Sequence, residues 1–89
     1  MTDIEAPKIE FPCRYPIKTI GDQREHFERD VIACVERHAG QLAAADITTR
    51  PSRNQRFCAI TCVIEATGEP QLKALHEDLL AVEGVRMVL

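Results

Sequence analysis

The stretch from Arg56 to Ala66 alternates between two sets of side chains, and this pattern constrains the fold more than any other feature of the chain. One set is wholly apolar and consists of Cys58, Ile60, Cys62 and Ile64. The other set consists of Phe57, Ala59, Thr61, Val63 and Glu65. A period of two is the period of a β-strand, whose successive side chains point to opposite faces. We therefore predict a strand over 56–66 with two faces that both need covering.

A helix is predicted after Gly21, running to about His38. Its apolar residues recur at the helical spacing and are Phe27, Val31, Cys34, Val35 and His38. Asp22 followed by Glu25 is a variant of the capping box, and Gly40 is the predicted stop. His38 lies in the last turn, where we expect it to cap the final carbonyl groups.

Two more strands are predicted around this helix. The stretch 13–20 alternates and is ended by Gly21, and Pro16 indicates an edge strand or a strand end, because proline cannot donate to a ladder. The stretch 43–50 is the other strand, with Ile47 as its main core residue. The following residues, from Pro51 to Gln55, read as a connecting loop.

A second helix and a final strand complete the chain. Pro70 fits a first helical turn, Gly84 ends the helix, and the apolar stripe is Leu72, Leu75, Leu79 and Leu80. In the last segment, 85–89, one face is predicted to carry Val85, Met87 and Leu89, and the other to carry Arg86 and Val88.

The predicted order is β-α-β-β-α-β, which is typical of an α+β ferredoxin-like sandwich with a four-stranded antiparallel sheet and two helices on one face. We expect a flexible arm over residues 1–10 and a single domain over 11–89. The other sheet face stays open in this fold. Because its residues are largely apolar, we expect a partner there, most simply a second copy in a homodimer.

Composition excludes several classes of function. The net charge is -3, from 11 Lys and Arg residues against 14 Asp and Glu residues, whereas nucleic-acid-binding modules usually show a basic excess. Aromatic residues make up 4% of the chain, too few to favour base stacking. The sequence shows no signal peptide and no apolar run of membrane-spanning length, so we expect a cytoplasmic protein.

Nothing in the pattern of reactive side chains predicts an enzyme, a metal site or a cofactor. The four cysteines form no Cys-x-x-Cys pair, and without a secretory signal we expect buried thiols rather than disulfides. No thiol or hydroxyl is placed beside a histidine by the predicted elements. The alternative is a small enzyme or a redox switch that uses Cys58 or Cys62.

Two segments stand out as candidate binding sites. The segment 50–56 carries Arg50, Arg53 and Arg56 without an acidic residue, and could dock a carboxylate, a phosphate or an acidic protein surface. It is otherwise a solubilising hairpin loop. Gly21 and Asp22 join the first strand to the first helix, and they either border a small-ligand site or serve only as a turn and cap.

Four motifs resemble the YbeD-like family of small bacterial proteins. They are Phe11-Pro-x-x-Tyr15-Pro-Ile-Lys18-x-x-Gly21, the Arg37-His38 helix end, Pro51-Ser52, and the terminal Val85-Arg-Met-Val-Leu89. The resemblance implies a ferredoxin-like fold similar to the ACT regulatory domain, with a small ligand at Gly21 and Asp22. It also implies a regulatory link to lipoyl metabolism.

Two hypotheses for function follow. The first is a non-enzymatic regulatory or ligand-sensing domain, ACT-like, whose ligand is unknown. The alternative is a protein-protein interaction adaptor that uses the basic segment 50–56 and the open sheet face.

Overall fold

The computed structural model describes residues 10–89, so the predicted arm over residues 1–10 lies almost wholly outside the described residues. The elements, in chain order, are β1 (Cys13–Asp22), α1 (Phe27–Ala39), a short 3-10 turn (Ala44–Asp46), β2 (Ile47–Pro51), β3 (Phe57–Ala66), α2 (Glu69–Leu80) and β4 (Val85–Val88). The strands form one antiparallel sheet in the order β2-β3-β1-β4. This layout confirms the predicted ferredoxin-like fold.

The core lies between the two helices and one face of the sheet. The apolar set of β3 is buried there, as its alternation predicts, with exposed fractions of 0–3%. The helices contribute Phe27, Val31, Cys34, Val35, Leu75 and Leu79. The predicted stripe of α1 is thus confirmed in its four apolar members. Its fifth member, His38, instead places its Nε2 atom 2.6 Å from Asp78 Oδ2 and links α1 to α2, so the predicted capping role is wrong.

The first strand is longer and more central than predicted. β1 continues through Gly21 to Asp22 and pairs with β3 on one side and β4 on the other. On the β4 side of β1, Lys18 exchanges backbone hydrogen bonds with Leu89. The backbone nitrogen of Pro16, two residues earlier, points to the same side but lies beyond the paired part of β4. Proline is therefore tolerated at this position, because its missing N–H leaves no ladder hydrogen bond unmade.

Asp22 does not cap α1, and the predicted capping box is wrong. The Asp22 N–H donates to the Gly84 carbonyl at 2.9 Å, which keeps this residue in the sheet. The helix begins only at Phe27, after His26 in a left-handed conformation (φ 65°) that makes no side-chain cap. Arg24 ties down the intervening turn by donating to the Glu83 carbonyl.

The predicted alternation of the last strand is wrong because the ladder is irregular. Ile20 pairs with Met87, whereas the next residue, Gly21, pairs with Val85, so β4 carries an extra residue at this point. The bulge turns Val85 and Val88 towards the core, and Met87 stands on the opposite face.

Two smaller predictions also differ from the structure. Leu80 of the predicted stripe is 49% exposed, because it follows the buried Leu79 by one residue and lies beyond the core-facing side of α2. The residues just before Ile47 form the 3-10 turn rather than a strand, and β2 is correspondingly short. Ile47 itself packs against the core, as predicted.

Candidate functional site

The side of the sheet away from the helices is called the open face here. Its residues alternate along each strand with those that face the core, and cross-strand pairing brings them together. They are Arg14, Pro16, Lys18, Ile20 and Asp22 of β1, Thr48 and Arg50 of β2, Phe57, Ala59, Thr61, Val63 and Glu65 of β3, and Arg86 and Met87 of β4.

An apolar row crosses the middle of the open face. Ile20 lies directly opposite Met87 on one side and Ala59 on the other, and Ala59 in turn lies opposite Arg50. Phe57 flanks this row on β3. Met87 is 49% exposed and Phe57 is 41% exposed, so both large apolar side chains are accessible on this face. We call Met87, Ile20, Ala59 and Phe57 the apolar strip.

A depression of about 510 Å³ opens on one end of the apolar strip. Ala59 lies within it as a small residue between larger ones, with Phe57 and Ile20 beside it. The side chains of Lys18 and Arg50 also line it. The depression therefore offers an apolar surface next to two cations, which suits an apolar group that carries a carboxylate nearby.

The charges of the open face are of two kinds. Arg86 donates to the Asp22 carboxylate at 3.0 Å, and Arg14 lies 2.6 Å from Asp46. The hydrogen bond to Asp22 and the charge of Asp22 hold the pKa of Arg86 above its ordinary value. By contrast, within residues 10–89 the cations of the 50–56 segment and Lys18 form no ion pair.

Charge is divided unevenly between the two layers of the molecule. The open face, the 50–56 segment and the 3-10 turn together carry Arg14, Lys18, Arg50, Arg53, Arg56 and Arg86 against Asp22, Asp46 and Glu65. The helices and the loops at their ends carry Arg24, Arg29, Arg37 and Lys73 against Glu25, Glu28, Asp30, Glu36, Glu69, Glu77, Asp78 and Glu83. The sheet side is therefore basic although the chain as a whole is acidic.

The two sites predicted from sequence lie at the same end of the sheet. The Gln23 N–H donates to the Arg56 carbonyl at 2.9 Å, so the 50–56 hairpin adjoins the end of β1. Asn54 Oδ1 accepts from the Arg56 N–H, which holds the hairpin tip closed. Of the three arginines, Arg50 lines the depression, whereas Arg53 stands exposed on the tip.

Gly21 and Asp22 have structural roles at their positions. Gly21 is buried against the ring of Phe27, and the Asp22 carboxylate is held by Arg86. A ligand at these two residues stays a prediction. Sequence reasoning missed Lys18 and Met87, because their place on the open face follows from strand order and from the bulge opposite Gly21, neither of which is a local pattern.

The thiols are placed for packing. Cys34, Cys58 and Cys62 are buried and Cys13 is half-buried, and all four are free. Burial raises the pKa of Cys62 to about 11 and raises those of Cys34 and Cys58. Thiols held in the protonated form are poor nucleophiles.

The part of the chain that the structure describes, residues 10–89, contains neither a cluster of metal ligands nor a membrane-spanning helix. Over this range, His, Cys, Asp and Glu form no group of three or more that could hold a metal ion. None of its helices combines the length and the apolar character needed to cross a bilayer.

Comparison with known proteins places the chain in a family. A family model described as "Protein of unknown function (DUF493)" matches residues 6–89. A UPF0250 protein of Azotobacter vinelandii is 52% identical, with 99% of this chain and 97% of the relative aligned. A UPF0250 protein of Ectopseudomonas mendocina is 48% identical, with the same shares aligned.

A solved structure shares the fold. The solution structure of protein HP0495 from H. pylori has a TM-score of 0.73 and 17% identity, covering 98% of this chain and 91% of that one. The full-length matches and the shared fold agree with the resemblance of the sequence motifs. The chain belongs to the DUF493 (UPF0250) family of small bacterial proteins, the YbeD-like family.

Proposed function

We propose that the chain is a non-enzymatic protein-interaction module whose open face docks an acidic surface of another protein. One observation carries the proposal, namely the apolar strip bordered by Lys18 and Arg50 on the basic side of an acidic chain. Protein interfaces combine a buried apolar centre with a polar rim, and arginine is enriched among the residues that matter most.

The available cations favour this kind of partner. Lys18 and Arg50 form no ion pair within residues 10–89, so binding a carboxylate there breaks no existing pair of the described chain. Opposite charges on the two partners also speed their encounter and suppress wrong partners. Burial of the apolar strip then contributes favourable free energy, and the part that exceeds the entropy lost on association appears as affinity.

The same charges disfavour the homodimer that the open face suggests from sequence. In a two-fold symmetric dimer each open face meets its own copy. Lys18 and Arg50 of one copy would then approach the cations of the other, with only Glu65 as an unpaired acidic residue of the described face. Like charges brought together at an interface cost on the order of several kcal/mol, which disfavours such a pairing.

Capture from a lysate of the source bacterium tests the proposal when variants are compared. We expect immobilised wild-type chain to retain a partner that Arg50→Glu and Ala59→Arg both release. Lys73→Glu is the matched control, because it reverses one exposed cation on α2. Salt at about 1 M, where the Debye length is about 3 Å, should also weaken capture.

The result that contradicts the proposal is equally specific. If Arg50→Glu and Ala59→Arg retain the partner as well as the wild type does, the open face is not its docking surface. Equal loss with Lys73→Glu would contradict it too, because a general effect of charge would then explain the release. Circular dichroism and melting temperature must show that each variant is folded.

A second candidate is the ACT-like regulatory domain that senses a small carboxylate. It is favoured by the depression, which begins at Ile20, directly before Gly21, and contains Lys18 and Arg50. The regulatory role and the link to lipoyl metabolism rest on the family resemblance. Amino acids and lipoic acid are therefore suitable probes, and a melting temperature that none of them raises at millimolar concentration contradicts this candidate.

A further inference from the structure

We infer that the partner presents an amphipathic α-helix with acidic borders, lying across the strands along the apolar strip, an inference that rests on the proposed function. The backbone of the open face, the spacing of the strip and the position of its cations support this inference.

The backbone of the sheet gives the first argument. At the centre of the open face, β1 pairs with strands on both sides and β3 does so as well, so their backbone groups are engaged within the sheet. An extended peptide laid on this face would find no backbone partners and would leave its own N–H and C=O groups to water or unpaired. A helix satisfies those groups internally and binds through side chains alone.

Spacing gives the second argument. Met87, Ile20 and Ala59 are successive cross-strand neighbours, so the row runs across three strands rather than along one. Neighbouring strands lie about 4.8 Å apart, which makes the row about 10 Å long. Residues i and i+7 of a helix lie about 10.5 Å apart on one face. Apolar side chains at i, i+3 or i+4, and i+7 therefore match the row.

The shape of the depression and the two nearby cations indicate which side chains the partner helix carries. The depression at Ala59 has room for a large apolar side chain, of the kind that serves as an anchor residue at the centre of an interface. Lys18 lies one row to one side of the strip, opposite Thr61, and Arg50 lies at its end, opposite Ala59. Carboxylates beside the apolar stripe of the helix would meet both cations.

Synthetic peptides of about 18 residues, or five helical turns, provide the test. The first peptide has Leu at helical spacing with Glu on both borders of the stripe, the second is a scramble of the same composition, and the third has Lys in place of Glu. Fluorescence anisotropy measures the binding of each labelled peptide to the full chain. We expect the first peptide to bind at least about tenfold more tightly than either control.

Variants of the chain locate the peptide. Arg50→Glu should weaken the first peptide about tenfold, and Ala59→Arg should abolish its binding by filling the depression. Lys73→Glu should leave the dissociation constant within about twofold, since α2 lies on the other layer. Circular dichroism of the bound peptide should show increased helix.

The outcomes separate this inference from the proposed function. If the first and the scrambled peptide bind equally tightly, the inference of a helical partner is wrong, while the proposed docking of an acidic surface remains. If the Lys peptide binds as tightly as the first peptide, the inference of acidic borders on the partner helix is wrong. If no peptide binds while native capture still depends on Arg50, the partner is not a helix of this kind. Native capture that is unchanged by Arg50→Glu and Ala59→Arg would overturn the proposed function itself.

Discussion

The ring of Phe27 lies directly against the Cα atom of Gly21. A Cβ atom at residue 21 would stand 2.7 Å from Phe27 Cε1 and 2.5 Å from the Gly84 carbonyl oxygen, closer than real side chains approach. Phe27, the first residue of α1, and Gly84, which precedes the bulged strand β4, therefore both pack against Gly21 of β1. The glycine is thus required by close packing at a central strand.

Gly21→Ala should therefore destabilise the fold. Because both neighbours are part of the core or the backbone, we expect a loss of about 1–3 kcal/mol, as for other overpacked sites. For a domain of this size each kcal/mol corresponds to about 4–8 °C in melting temperature. Gly68→Ala is the control, since its Cβ would lie at an ordinary 3.6 Å from Pro70 Cδ. Equal melting temperatures for the two variants would refute this packing role.

Thr19 gives a prediction of the opposite sign. Its side chain is 1% exposed in the core, and its hydroxyl oxygen has no hydrogen-bond partner among the described residues. Thr19→Val keeps the branched shape and removes the unsatisfied hydroxyl, so we expect it to stabilise the chain by about 1 kcal/mol. Urea unfolding measures this as a higher midpoint. A midpoint lower than that of the wild type would show that the hydroxyl does have a partner.

The cysteines should differ in reactivity. Cys13 is half-buried whereas the other three thiols are buried, and the pKa of Cys62 is raised to about 11. We expect a thiol reagent at pH 8 to label Cys13 first and the buried thiols only at the rate of unfolding. Mass spectrometry of the labelled peptides identifies the sites. Rapid labelling of Cys58 or Cys62 would favour the redox switch instead.

The raised thiol pKa also predicts the response to alkaline pH. The unfolded Cys62 thiol, with an ordinary pKa of 9.0, loses its proton at lower pH than the folded thiol does. Between about pH 9 and 11 the unfolded chain therefore binds fewer protons than the folded chain, and stability falls as pH rises. Cys62→Ala should flatten this decline in urea unfolding. If the slope is unchanged in Cys62→Ala, another group causes it.

The oligomeric state of the chain shows whether a second copy or another protein is the occupant of the open face. Because the unpaired cations repel in a face-to-face dimer, we expect light scattering to find a monomer at low salt. A dimer that persists at low salt and that Ala59→Arg converts to a monomer would mean that a second copy occupies the open face.

Local patterns were sufficient for most of the fold. The alternation of β3 and the apolar spacing of α1 predict both the elements and their buried residues. In a two-layer sandwich each element packs one face against a single core, so the spacing of its apolar side chains indicates which residues are buried. The candidate functional residue Arg50 was also recognisable, as part of a basic segment without acidic neighbours.

The errors arose where distant parts of the chain decide the outcome. Asp22 has the sequence of a helix cap, but its pairing with Phe57 of β3, its hydrogen bond to the Gly84 carbonyl and the Arg86 side chain keep it in the strand. Met87 and Val88 exchange faces because of a bulge that no local pattern announces. Lys18 joins the site only once β1 is known to be central, because that position sets it beside the apolar strip.

Site-specific photo-crosslinking can show directly whether another protein docks on the open face. Phe57 on the open face and Leu80 on the helical layer are both large, exposed apolar residues, with 41% and 49% exposure. Each is replaced in turn by p-benzoylphenylalanine in the full chain, and cells of the source bacterium are irradiated. We expect a discrete crosslink from position 57 to another protein through an acidic segment, and none to that protein from position 80. Crosslinks from position 57 only to a second copy of the chain, or to the same protein equally from both positions, would contradict it.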